Sequence, residues 1–117
     1  MANQPILVLD FDGVLHSYTS GWQGADVVSD PPVKGAIDFV VKALIHFDVI
    51  IVSSRCNQSG GYEAIDDWLI KWGFPQIKIS KDGSKPAALL TIDDRAITFN
   101  GEWPSVESLM NFKPWYK

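Results

Sequence analysis

Cys56 is the chain's single cysteine, so no internal disulfide can staple the fold. No apolar run is long enough to span a bilayer and no signal peptide is seen, which predicts a soluble, cytoplasmic protein with no membrane partner. Basic residues are in the minority. Ten Lys and Arg against 14 Asp and Glu give a formal net charge of −4 and a pI near 4.9. An extended nucleic-acid interface wants a basic face and is not expected, although a small basic pocket is compatible with that balance. There is no internal repeat and no low-complexity tract. What remains is one domain over residues 1–117, long enough to bury a core without staples. None of these features fixes an oligomeric state.

What is present is a series of short apolar runs that end in polar residues. Residues 5–9 read as a buried strand bounded by Pro5 and the Asp12-Gly13 turn. Residues 13–30 have loop composition. Asp30 is an expected N-cap with Pro31 at the first helical position, and Val33, Ile37, Val40, Val41 and Leu44 predict a helix over 32–46. Residues 48–53 are a second strand. Tyr62, Ile65, Trp68, Leu69 and Trp72 predict a helix over 61–72, closed by Gly73. Residues 76–80 and 87–92 are a third and fourth strand, and 97–99 a fifth, followed by the tight-turn signal Asn100-Gly101. A short helix near 105–111 closes the chain, with Phe112 and Trp115 packing back on the core. This alternation predicts an α/β fold with a mainly parallel sheet.

In such sheets, ligands sit beyond the carboxyl ends of the strands. That rule gathers Asp10 and Asp12 after strand one, Ser53, Ser54 and Arg55 after strand two, and Asp93 and Asp94 after strand four. Unscreened carboxylates at contact repel by about 4 kcal/mol per pair, so the cluster calls for protons or a cation. The donors are all oxygens, which suits Mg²⁺ together with a phosphate. Ser53, Arg55 and Lys85 offer a hydroxyl and positive charge to a phosphoryl group. Two carboxylates two residues apart also suit a nucleophile and a general acid/base.

Four stretches in order resemble the motifs of haloacid dehalogenase-like hydrolases. "DFDGVLH" is similar to the first, "IIVSS" to the second, Lys85 to the lone lysine of the third and "LLTIDD" to the fourth. The likeness covers nearly the whole chain. It implies a three-layer Rossmann-like sheet in strand order 5-4-1-2-3 with helices on both faces. It also implies roles: Asp10 as nucleophile and metal ligand, Asp12 as general acid/base lending its backbone carbonyl to the metal, Ser53 on the phosphoryl oxygens, and Lys85 stabilising charge. Asp93 and Asp94 would complete the Mg²⁺ site. An Asp at position 12 goes with phosphatases in that family, so a phosphomonoesterase working through an aspartyl-phosphate is expected. Residues 13–31 and 54–84 leave no room for a cap domain. "SSR" and "IDDR" also resemble phosphatase domains of polynucleotide end-processing enzymes, which makes a nucleotide or a nucleic-acid end a possible substrate and Arg55 and Arg95 its contacts.

Plainer readings stand beside these. Lys81 competes with Lys85 as the motif lysine, and either of Asp93 and Asp94 can be the direct metal ligand. Arg55 divides evenly between pocket and solvent, Arg95 reads as structural, His16 as a loop histidine and Cys56 as a small packed thiol. Two other functions fit parts of the pattern: a receiver-like phospho-acceptor domain, and a catalytically inactive binding module. A receiver needs its acceptor Asp after the third strand, where Ser80 and Lys81 stand.

Overall fold

The structure, a computed structural model, describes residues 4–117. Four strands, β1 (Ile6–Leu9), β2 (Asp48–Ile51), β3 (Lys78–Ile79) and β4 (Leu90–Ile92), form one parallel sheet in the order β3-β2-β1-β4. Helix α1 (Ala36–His46) links β1 to β2, and α2 (Gly61–Lys71) links β2 to β3. A five-residue helix, α3 (Val106–Met110), lies near the C-terminus. The molecule is thus α/β with an all-parallel sheet. No described helix is long and apolar enough to cross a membrane.

Register decides which side chains share a face. Leu7 pairs with Val49 and Leu90, and Leu9 with Ile51 and Ile92, so these point to one side. There all but the half-exposed Leu90 join Val40 of α1 and Ile65, Trp68 and Leu69 of α2 in a single core. Both long helices cover that same face, as right-handed crossovers require when β1, β2 and β3 step in one direction. Each fully buried aliphatic in this layer contributes about 1.5–3 kcal/mol.

Four expectations are corrected. Residues 97–99 form no strand, so the order 5-4-1-2-3 loses its fifth member and β4 becomes an edge. The three-residue β4 offers little to pair with, and Asp93 Oδ1 accepts from Arg95 N (2.9 Å) to turn the chain before any strand restarts. Helices do not flank the sheet on both faces in the expected way. The β3–β4 connection, residues 80–89, is too short to hold a helix together with its loops. There Ser80 and Asp82 bond to Ser84 and make a turn instead. α3 buries no residue, so neither it nor Phe112 packs on the core; Trp115 is also 62 % exposed.

The fourth correction concerns α1, which starts at Ala36 rather than 32. Asp30 does not cap it, because its carboxylate accepts from Ser20 N (2.8 Å) and Ser20 Oγ (2.6 Å). Its carbonyl accepts from Trp68 Nε1 (2.8 Å). Asp30 therefore ties the 13–30 loop to α2. That loop holds no helix or strand among the described residues, only isolated bridges of His16 to Asp12 and to Pro32, so no cap domain is inserted there.

Candidate active site

The carboxyl ends of β1, β2 and β4 meet around a cavity of about 290 Å³. Asp10, Asp12, Ser53, Ser54 and Asp94 line it, together with Tyr18, Trp22, Arg95 and Tyr116. Asp10 leaves β1 with its backbone N–H bonded to Ile92 O (3.0 Å), which holds the ends of β1 and β4 in step. One carboxylate oxygen from each of Asp10, Asp93 and Asp94 falls within a sphere where all three lie within 4.8 Å of one another. The two acids after β4 do not occupy the same setting. The Asp94 side chain is 3 % exposed, whereas Asp93 is exposed and caps the turn at Arg95.

Electrostatics separate the acids further. Burial, then the neighbouring Asp94 carboxylate, push Asp10 up to about 8. Burial alone would also raise Asp94, but hydrogen bonds from Asp10 and Tyr116 outweigh it and hold that carboxyl below its usual range. Asp12 is held low in the same manner: hydrogen bonds from His16 and Arg55 override its burial.

The Asp12 cage is the best-defined part of the site. Arg55 Nε donates to Oδ2 (2.8 Å) and Nη2 to Oδ1 (3.1 Å), a bidentate grip. His16 Nδ1 lies 2.8 Å from Oδ1. The tautomer follows from the other ring nitrogen. Nε2 accepts from the Asp30 backbone N–H (3.1 Å), so the proton sits on Nδ1 and points at Asp12. Three of the four acceptor positions of the Asp12 carboxylate are therefore spent inside the protein.

Arg55 is fully buried and does not line the cavity. Its remaining donor group, Nη1, bonds the carbonyls of Gly24 (2.9 Å), Ala25 (3.0 Å) and Val27 (3.0 Å), and Trp22 lies over its guanidinium at 4.8 Å. Arg55 thus clamps the 13–30 loop onto Asp12, and all of its donors except the second Nη2 N–H go to described protein acceptors. Arg95, 56 % exposed, is the arginine that faces the cavity. Ser53 is buried, and its hydroxyl accepts from Arg55 N (3.2 Å) to open the 3₁₀ turn Ser54–Asn57; Ser54 is exposed at the rim. Lys85 and Lys81 are both exposed and outside the cavity lining.

The C-terminus supplies residues that sequence reasoning missed. Tyr116 Oη donates to Asp94 Oδ2 (2.7 Å) and accepts from Arg95 Nη2 (3.2 Å). Trp115 Nε1 donates to Gly13 O (2.7 Å), across 102 positions of chain. Gly13 has φ +80°, and a Cβ there would run into the Asp94 carboxylate and the Tyr116 ring, so only glycine fits this approach. His16 was also missed, although its place four residues after Asp12 was a usable signal. Nothing in the sequence near Tyr116 announced its part.

Comparison with protein-family models, with curated proteins and with solved structures finds no match for this chain.

Proposed function

We propose that the protein is a Mg²⁺-dependent phosphomonoesterase that works through an aspartyl-phosphate, built on a Rossmann-like parallel sheet without a cap. The observation that carries this is the meeting of Asp10, Asp93 and Asp94 oxygens within 4.8 Å of one another, beside Ser53 and Asp12. The donor set is all oxygen, and burial, with Asp94 beside it, pushes Asp10 up to about 8. Both features fit a hard divalent cation held by Asp10, Asp94 and Asp93, with the Asp12 backbone carbonyl as the family likeness implies. Such a cation supplies charge neutralisation between carboxylate and phosphate.

The chain's own residues divide the remaining work. Asp10, once ionised, is the nucleophile toward phosphorus. Ser53 Oγ and the backbone around it donate to the phosphoryl oxygens, and Arg95 faces the substrate's outer charge. Asp12 transfers protons through its one unspent acceptor position. Arg55 keeps it aimed, and His16 Nδ1–H keeps its charge stabilised. Lys85 enters this scheme only as the family likeness implies, since the present geometry leaves it outside the lining. The likeness of "SSR" and "IDDR" to polynucleotide end-processing phosphatases supports a nucleotide or the end of a nucleic acid as substrate. A receiver-type acceptor domain would want an Asp after β3, where Ser80 and Lys81 stand.

The test is turnover of a chromogenic phosphate ester with and without Mg²⁺. Activity should need the metal and fall by at least about a thousandfold in Asp10→Asn, with unchanged circular dichroism. Stable phosphorylation without turnover would favour the acceptor domain, and inertness across a broad phosphate panel would favour a binding module.

A further inference from the structure

Residues 96–112 are exposed throughout, yet they are rich in large apolar side chains. Trp103 is 85 % exposed, Met110 82 % and Val106 70 %; Ile97, Phe99 and Phe112 are each about half exposed. Ile97, Phe99, Trp103, Val106 and Leu109 line one continuous groove of about 940 Å³. We infer that this segment is a self-association surface and that the protein is a two-fold dimer, with this face of one copy against the same face of a second.

Area is the first argument. Full burial covers about 150–250 Å² of an aromatic side chain and roughly 60–120 Å² of an aliphatic one. Scaled by their exposures, the side chains of this segment leave on the order of 600 Å² of apolar surface in water. That sits at the top of the range for the largest patch on a monomer, about 300–600 Å². It also exceeds the apolar share of a standard interface, about 450 Å² of roughly 800 Å² per partner.

Charge is the second. The segment carries only Glu102 and Glu107. It has no basic or acidic stripe addressed to a partner of opposite sign, and two identical copies meet there with little repulsion despite a net charge of −4 each. A self-complementary apolar patch is what a two-fold interface requires.

The segment is also pre-organised. Its two ends are pinned at the cavity by the Arg95–Tyr116 hydrogen bond and by Trp115 on Gly13. Phe99 and Trp103 pack with ring centroids 4.6 Å apart. Ser105 Oγ accepts from Ser108 N (3.2 Å) and starts α3. Ordering cost on association is correspondingly small. Among the described residues β4 ends the sheet, and the expected fifth strand, residues 97–99, has no strand partner. A second copy supplies apolar cover for both.

This inference is independent of the phosphatase proposal, because none of its residues is given a catalytic role. Sedimentation velocity of the full chain at about 100 µM, a hundredfold above a micromolar Kd, tests it. The expected species has twice the 13.0 kDa chain mass. Trp103→Ser and Val106→Glu, both at exposed positions, should each raise the dissociation constant by at least about tenfold with circular dichroism unchanged. Ile70→Glu on α2, outside the segment and 71 % exposed, should leave the dimer intact. A monomer at that concentration overturns the proposal and leaves the groove to another protein. A dimer indifferent to both segment variants also overturns it, since the contact would then lie elsewhere.

Discussion

At the scale of single residues the molecule depends on how Asp12 is held. A buried guanidinium, one imidazole N–H and three loop carbonyls share a network in which every donor but one Nη2 N–H has a named acceptor. Arg55 therefore does two jobs: it fixes a carboxylate at the cavity wall and it pins a loop of almost twenty residues that has no secondary structure of its own. Replacing it strands both sets of partners. Arg55→Met should destabilise the protein by about 3–5 kcal/mol, read as a fall in urea midpoint, because a partly buried carboxylate and three carbonyls lose their donors at once. Loss under about 1 kcal/mol would mean that the loop is held by other contacts. Asp10 and Asp94 show the complementary device, where burial and a neighbouring carboxylate raise Asp10 while hydrogen bonds lower Asp94.

At the scale of elements, the loop between β1 and α1 is shaped by two close approaches, Gly13 against Asp94 and Tyr116 and Asp30 against Trp68. Gly13→Ala combines a left-handed backbone, costing about 1–3 kcal/mol, with a clash at the metal-ligand candidate. Gly21 has a similar φ of +72° but open space around its missing Cβ. Gly21→Ala should thus show the backbone cost alone. Denaturant midpoints should fall further for Gly13→Ala, and only that variant should lose Mg²⁺-dependent turnover; equal effects would remove the close approach from the account. Much of this level was legible in the sequence. Apolar runs ending in Asp10, Ser53 and Asp93-Asp94 placed three strand ends at one edge, because parallel topology forces them there. Helix α2 matched its periodicity within a residue. The failures share one cause, which is long-range competition for a local signal. Asp30 and Pro31 looked like a helix start, but Ser20 and Trp68 claim Asp30. Ile97-Thr98-Phe99 looked like a strand, but no neighbour receives it. Arg55 reads equally as a pocket or a solvent arginine and Arg95 as structural, whereas the structure buries Arg55 beneath residues 24–27 and faces Arg95 to the cavity, since burial depends on that loop folding over. Tyr116 was invisible because its partner, Asp94, lies 22 positions away.

At the scale of the whole molecule, Asp10, Asp93 and Asp94 gather at the strand ends of a chain with a net charge of −4, and under the proposed function they would couple the fold to pH and to a cation. Asp10 has an unfolded value near 4, and burial beside Asp94 brings the folded value to about 8. Between those limits the folded chain holds a proton that the unfolded chain has released. Stability with respect to this group is thus fully present below about pH 4 and drains away as pH rises toward 8. Asp12, Asp30 and Asp94 are shifted the other way, so their contributions are lost only as pH falls below the ordinary carboxylate range, outside that window. Metal-free protein should therefore lose thermal stability on going from pH 5 to pH 8. Saturating Mg²⁺ should reverse the loss at pH 8 and do little at pH 5, where the cation must displace the Asp10 proton. In Asp10→Asn both the slope and the Mg²⁺ response should flatten, because the titrating group and one ligand charge disappear together. Differential scanning fluorimetry across that range, with Ca²⁺ as a second hard cation, reads the result directly. A Tm that rises toward pH 8 without metal, or one that ignores Mg²⁺ at both ends, would break the link between these acids and a cation while leaving the sheet and its helices as described.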